Sequence, residues 1–417
     1  MADADALSDR RGGGVGRHLL APVRRLAKWG TPVKGHLRRG DLGRALGVLG
    51  LVVLWLVFQA FNSNYLSARN LSNISVDMVG TGMIAMGIIV VLLLGELDLS
   101  VGSIAGLATA VFAVVNVHAG LPEWLAVVIA VVSGTAIGAF QGSLSARFGV
   151  PAFIVTLAGL VGWTGLMLYI LGTTGTFNFD DGGLVASLTG RYFGDKAAAY
   201  GLAAVGVLAF LAVSRRTAHR RQAAGLPSVP LGRVVLETGV LAALAFAAAS
   251  VLNHFQGLPL ALLIFLAIVA GLDHTLRRMP FGRKVFALGT GAEAARRAGI
   301  DVTAVRISAF AVSGTMAAVG GLFLASPTAS TIQATSSPTL LLNALAAAVL
   351  GGGSLFGGHG RAWSVLLGVL VIQSIASGVA LVGIQPAVQL LISAGVLLVA
   401  VIAESGVRRA RTAHGLA

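Results

Sequence analysis

Twelve apolar runs follow one another along this chain, near 42–61, 73–94, 100–117, 122–143, 151–173, 197–213, 231–252, 257–274, 304–326, 338–351, 362–381 and 386–404. Each is about long enough to cross ~30 Å of hydrocarbon at ~1.5 Å per helical residue. Within lipid every backbone N–H and C=O must be satisfied internally, so only helices or a closed barrel can cross. A barrel reads as short alternating strands, and these runs do not alternate. The expected fold is therefore all-α: a polytopic membrane protein of about 10–12 transmembrane helices. Composition agrees, with 56% hydrophobic and only 11% charged residues in 417, against roughly 25% charged in a soluble domain. A soluble enzyme, a secreted scaffold and a disordered chain are excluded. The absence of cysteine removes thiolate metal sites, disulfides and thiol catalysis.

The net charge of +14 reads as orientation rather than as a nucleic-acid surface. If all twelve runs cross, 27 of the 30 basic residues fall on one side and only Arg69, Arg191 and Lys196 on the other. The positive-inside rule places the larger set in the cytoplasm, with both termini. A pair of half-helices entering and leaving on one side would preserve this split, so orientation is better constrained than crossing number. Residues 1–41 form a basic, unstructured cytoplasmic arm suited to anionic headgroups. Residues 42–405 form the membrane domain and 406–417 a short cytoplasmic tail. Pro122, Pro151, Pro259, Pro338 and Pro386 each stand at or just before an apolar run, where a first-turn N–H has no helical partner to lose. Gly134, Gly138, Gly142, Gly320 and Gly321 read as close-packing positions between helices.

No P-loop, zinc-protease motif or nucleophile–base–acid set occurs, so no catalytic residue, metal or cofactor is expected and the chain is not read as an enzyme. Ionisable groups at bilayer depth are the functional candidates. Asp77, near the start of its run, is one. Glu96 and Asp98 sit in Gly95-Glu96-Leu97-Asp98-Leu99-Ser100-Val101-Gly102-Ser103, which interrupts two apolar runs without a basic residue. Two readings of that stretch stand: a broken helix lining a path, or a tight turn in which Asp98 and Ser100 cap the next helix. A similar break follows at Gly351-Gly352-Gly353-Ser354, and aligning Gly95 with Gly351 suggests a parallel internal repeat. Residues 174–196 form a long loop with mixed charges and aromatics, either a docking surface or a plain connector. The runs at 231–274 look like peripheral additions without site-like features.

Between the eighth and ninth runs lies a basic stretch, 277–303. Within it Ala292–Ala298 is a short set of helix formers closed by Gly299, too short to be stable alone and suited to a groove on a partner. Here the chain resembles a known family. Gly282-Arg283, Ala287, Gly289, Glu293-Ala294-Ala295-Arg296 and Gly299-Ile300 resemble the coupling loop of ribose/xylose-type permeases of bacterial ABC sugar importers. Leu97-Asp98-Leu99-Ser100-Val101-Gly102-Ser103 and Val349-Leu350-Gly351-Gly352-x-Ser354-Leu355-x-Gly357-Gly358 are similar to that family's two glycine motifs. Leu97 and Phe356 depart from the usual Ile and Ser. The 176–275 region has the length of the xylose permeases.

The resemblance implies a permease subunit that moves a xylose- or ribose-like monosaccharide inward. In a bacterial inner (plasma) membrane, its partners would be two ATP-binding cassette subunits, an extracellular sugar-binding protein, a second, identical permease chain and membrane lipids, with no nucleic acid. It implies cassette-coupling roles for Gly282, Arg283, Glu293, Ala294, Ala295, Arg296 and Gly299. The helix breaks and path are assigned to Asp98, Ser100, Gly102, Gly352 and Ser354. The competing expectation is an ion-coupled secondary carrier using Asp77, Glu96 or Asp98.

Overall fold

The computed structural model describes residues 39–172, 177–178, 180, 182–226, 230–328, 330–331, 338–354 and 357–385, with parts of 387–402. The chain divides into two units, Met1–Val48 and Leu49–Ala417. Of the first, only the opening turns of α1 (Arg39–Phe61) are described. The second carries α2 (Ala68–Leu93), α3 (Val101–Ala113, continued by a π-helical turn to His118), α4 (Glu123–Phe148), α5 (Ala152–Leu171), α6 (Leu184–Gly190) and α7 (Lys196–Ala223). Then come α8 (Leu231–Asn253), α9 (Leu260–Arg278), α10 (Pro280–Thr290), α11 (Ala292–Arg297), α12 (Val302–Ala325), α13 (Pro338–Leu350) and α14 (Ala362–Val382).

Nine described helices are long and apolar enough to cross a membrane: α2, α3 with its π turn, α4, α5, α7, α8, α9, α12 and α14. The chain is thus a polytopic all-α membrane protein. Of the twelve apolar runs, eleven coincide with helices and 386–404 falls largely outside the described residues. Among the described residues one of the eleven, α13, is shorter than a crossing. In α13 there are 13 residues, about 20 Å of helix against ~30 Å of hydrocarbon. By contrast α2, at 26 residues, is about 39 Å long and reaches across before its break. Pro122, Pro151 and Pro259 are the N-caps of α4, α5 and α9, and Pro338 opens α13. Pro386 lies outside the described residues.

The core is built around α2, which packs against α12, α14, α13 and α9. Small residues decide which backbones approach. A Cβ on Gly138 of α4 would collide with the carbonyl oxygen of Phe310 on α12, and one on Gly134 would stand 2.7 Å from the carbonyl oxygen of Gly314. Dispersion and close backbone contact hold helices together where lipid is as apolar as the side chains. The hydroxyls of Thr135 and Thr315, 2.7 Å apart, bridge the same pair. Gly80 lies against Gly320 in the α2–α12 contact. The packing reading of these glycines holds.

The region 231–274 divides. α8 pairs with α7 at the margin, and only 11% of the apolar stretch of each is buried. α9 is part of the core: Phe265 is fully buried, with its ring filling the space that Gly82 leaves on α2. The expectation that both runs are peripheral is corrected to α8 alone, with α7.

The connections sort into two ends. At one end Gly358 N–H donates to Leu93 O at 3.0 Å, Thr156 Oγ1 to Leu97 O at 3.3 Å, and Arg306 pairs with Glu96. At the other, β1 (Phe177–Asn178) pairs antiparallel with β4 (Ser330–Thr331), and β2 (Tyr192–Phe193) with β3 (Leu258–Pro259). There Glu123 accepts from the N–H groups of Leu184 and Val185 at 2.5 and 2.7 Å, capping α6, and Thr189 meets Ser326 at 2.7 Å. These are the two sets that alternating crossings require. The first end carries Arg147, Arg277, Arg283 and Arg306 and is called the basic end below. The 174–196 loop is thus tied by two short sheets and a capped helix at the opposite end; Phe179 and Asp181 lie outside the described residues.

Candidate functional site

Three stretches far apart in sequence meet at the basic end. α2 stops at a positive-φ Gly95 (+79°), where Gly95 N–H donates to Leu92 O and Glu96 N–H to Val91 O. α13 stops in the same way: Gly352 (+79°) donates to Val349 O and Gly353 to Ala348 O. Both are glycine C-caps that satisfy the last carbonyls of a helix. The shared cap matches Gly95 with Gly352, one residue from the expected pairing with Gly351. The connections that follow differ in length, 94–100 against 351–361. The third stretch is the C-terminal turn of α10. A Cβ on its Gly289 would strike the carbonyl oxygen of Leu93 and approach Gly358 N to 2.7 Å, while one on Gly357 would stand 2.8 Å from Gly95 N. Gly95, Gly289, Gly357 and Gly358 form a junction in which three backbones touch.

Beside the junction lies a buried polar cluster. Asp98 Oδ1 accepts from Ser100 N–H at 3.0 Å and Ser100 Oγ at 2.6 Å, and its Oδ2 accepts from Ser313 Oγ on α12 at 2.9 Å. Ser103 Oγ donates to Ser100 O at 2.8 Å. Ser100 Oγ also lies 2.9 Å from Gln141 Oε1 on α4, although it has one hydrogen, and Gln141 Nε2 is buried without an acceptor. Turning the Gln141 amide removes both conflicts: its nitrogen donates to Ser100, whose hydrogen goes to Asp98. Asp98 thus joins α3, α4 and α12. Asp98 organises the turn into α3, and Ser100, the N-cap residue, makes no side-chain cap of its own. In this connection burial pushes the Asp98 carboxyl above the ordinary aspartate range, against the pull of its hydroxyl and amide donors. Burial likewise raises Glu96, partly offset by Arg306 Nε at 2.5 Å from Oε1, a charge contact whose N–H is not aligned on the oxygen.

The remaining candidates fall on different surfaces. Gly102 is buried inside α3, Gly352 is exposed and Ser354 is half-buried, its N–H donating to His359 O at 3.1 Å. Leu355 and Phe356 lie outside the described residues. Of the coupling candidates, Arg283, Glu293, Ala294, Arg296 and Gly299 are exposed, whereas Gly282 and Ala295 are buried. Gly282 lies against the backbone of Leu276, so it closes the α9–α10 corner. Gly299 takes φ +78° and closes α11 as its residue type foretold. On α11 Glu293 spends its charge locally, on Arg297 at 3.2 Å and Arg296 at 3.8 Å. Asp77, with Asn73 one turn earlier, is exposed although almost all of α2 beyond Ile74 is buried.

Sequence reasoning missed α10. Its buried Gly282, Val285 and Leu288 recur at a helical spacing that was legible, but the surrounding arginines read as a loop. It also missed Gln141, Ser313 and Thr156, whose only signal is polarity inside apolar runs. Among the described residues no group of three or more His, Cys, Asp or Glu could hold a metal.

Comparison with known proteins bears on this arrangement. Over 369 residues the chain is 33% identical to the xylose transport system permease protein of Escherichia coli K12, covering 87% of this chain and 91% of that one. It is 32% identical to the xylose transport system permease protein of Haemophilus influenzae, covering 85% and 94%. It is 30% identical to the ribose import permease protein of Bacillus subtilis, covering 85% and 91%. No solved structure matches. Residues 70–401, which include the glycine junction, the Asp98 cluster and α11, match the family described as branched-chain amino acid transport system / permease component, and the chain belongs to that family of membrane permease components.

Proposed function

We propose that this chain is the membrane permease of an importer for a monosaccharide of the xylose or ribose kind, driven by ATP hydrolysis in a separate cassette subunit. The similarity to xylose and ribose permeases along most of their length carries the substrate class. The coupling assignment rests on the exposed α11, joined through α10 to the glycine junction at the ends of α2 and α13. In this reading the basic end and both termini face the cytoplasm. Two cassettes grip α11 on each of two identical permease chains, and an extracellular binding protein delivers sugar to the opposite end.

A helix of six residues has little stability of its own, so α11 keeps its shape by packing. Buried Ala295 anchors it inward while Glu293, Ala294 and Arg296 face the partner. Nucleotide binding shifts the population between two permease states only through its differential affinity for them. Movement of α11 reaches the path through Gly289, because nothing larger than glycine separates α10 from Leu93 and Gly358. The path assignment rests on Asp98, Ser100, Gly102, Gly352 and Ser354 toward the basic end, with Asp77, exposed near the opposite end of α2, as a further candidate.

The test is reconstitution with the neighbouring cassette and binding protein. Wild type takes up xylose or ribose only with ATP. The double reversal Glu293→Lys with Arg296→Glu inserts normally and loses uptake at least tenfold while the cassette still hydrolyses ATP. Normal uptake by that variant removes α11 from coupling. Uptake by the chain alone, driven by a proton or sodium gradient, transfers the function to a carrier using Asp77, Glu96 or Asp98.

A further inference from the structure

At the basic end five described arginines meet a carboxylate. Arg233 pairs with Glu237 at 2.8 Å, Arg277 with Asp273 at 2.8 Å, Arg296 and Arg297 with Glu293, and Arg306 with Glu96. Arg216, Arg220 and Arg221 on α7 and Arg278 at the end of α9 meet none among the described residues. These four, with His274, line one cavity of about 650 Å³ whose apolar wall is Val213 and Leu226. None of the described residues that line it is acidic. Four guanidinium groups gathered without a counter-charge repel one another, and the cost falls when an anion sits among them.

The position of the cavity narrows the anion. Val213 ends the apolar run of α7, and the cations begin two residues later at Arg215. The face of α7 leading up to it is open: Gly206, Ala209 and Val213, spaced three and four residues apart, are all exposed. A ligand that places a phosphate on the arginines and a hydrocarbon chain along Val213 toward Ala209 and Gly206 would satisfy both surfaces, and a small soluble phosphate would satisfy only the first. We propose that this cavity between α7 and α9 binds the phosphate headgroup of an anionic phospholipid. The cytoplasmic placement of the site rests on the orientation given above, but the binding does not depend on transport. Arg278 lies two residues before Pro280, the first residue of α10, so the lipid would also brace the α9–α10 corner.

The experiment uses the full chain purified in detergent, with bound lipid read by native mass spectrometry after addition of phosphatidylglycerol, cardiolipin or phosphatidylcholine. Wild type is expected to retain phosphatidylglycerol or cardiolipin at least tenfold over phosphatidylcholine. The variant with Arg216, Arg220, Arg221 and Arg278 all changed to Gln is expected to lose that preference, while Arg296→Gln with Arg297→Gln keeps it. Arg278→Gln alone, tested for an unchanged elution profile, guards against misfolding of the quadruple variant and is expected to weaken retention severalfold. In a second arm, phenylglyoxal labelling of the four arginines is followed with phosphatidylglycerol or with inorganic phosphate. Protection by the lipid at concentrations where inorganic phosphate gives none supports the proposal. Equal protection by both, or full anionic-lipid retention by the quadruple variant, overturns it. Because every readout is on the isolated chain, failure here is separate from failure of ATP-driven uptake.

Discussion

α2 and α7 are both apolar enough to cross a membrane, yet 94% of the apolar stretch of α2 is buried in protein and 11% of that of α7. Hydropathy therefore separates membrane from water but does not separate the centre of this molecule from its rim. The difference lies in what the small residues face. Gly80, Gly82 and Gly87 of α2 each receive a neighbour: Gly320 and Leu324, the ring of Phe265, and the backbone of Ser313. Gly201 and Gly206 of α7 have nothing within 4 Å. Glycine at the centre is a contact, and at the rim it faces open space.

The sharpest break of this comparison is a pair of valines. Gly138→Val drives a branched side chain into the carbonyl of Phe310, where no flexible neighbour can yield. It is expected to abolish monodisperse protein in detergent, whereas Gly206→Val should elute as wild type. A similar yield from both would end the distinction between centre and rim. The next effect is cavity formation. Phe265→Ala empties the space against Gly82 and is expected to cost about 3 kcal/mol in thermal unfolding of the purified chain, whereas Leu244→Ala on exposed α8 should shift it by less than about 0.5 kcal/mol. Smaller still is the polar cluster. Ser313→Ala removes one donor to Asp98, about 1 kcal/mol. Asp98→Asn keeps an acceptor for Ser100 and can donate to Ser313. Burial raises the Asp98 carboxyl, so the wild type loses stability as pH rises from the ordinary aspartate range toward the raised value. Asp98→Asn should lack that slope in melting curves taken between pH 4 and 8. A parallel slope in both would remove Asp98 as its source.

Much of the fold was legible because the bilayer imposes a strong rule: runs of the right length become helices, and prolines at Pro122, Pro151 and Pro259 mark where they start. Residues 338–351 are only 14, and α13 keeps 13 of them, so that short run was already legible as such. The site was legible in pieces, since its motifs carry glycine at fixed places, but not as a junction. Nothing local in Gly289 says that Leu93 and Gly358 lie against it. The pairing of the two breaks missed by one residue because a glycine run offers several positions and only one takes the left-handed cap. Gln141 and Ser313 were invisible for a different reason: one polar residue in an apolar helix has no partner until the partner helix is placed.

One further consequence follows from the clasp that Glu123 makes on α6. The carboxylate belongs to the first turn of α4, α4 is locked to α12 through glycines along its length, and Ser326 just beyond α12 holds Thr189 at the end of α6. The two long rods and the short crosspiece make a closed frame. Such a frame would tilt as one piece rather than bend, so a displacement entering near Asp301 would arrive about 36 Å away, over the 24 residues of α12, as a swing of the crosspiece.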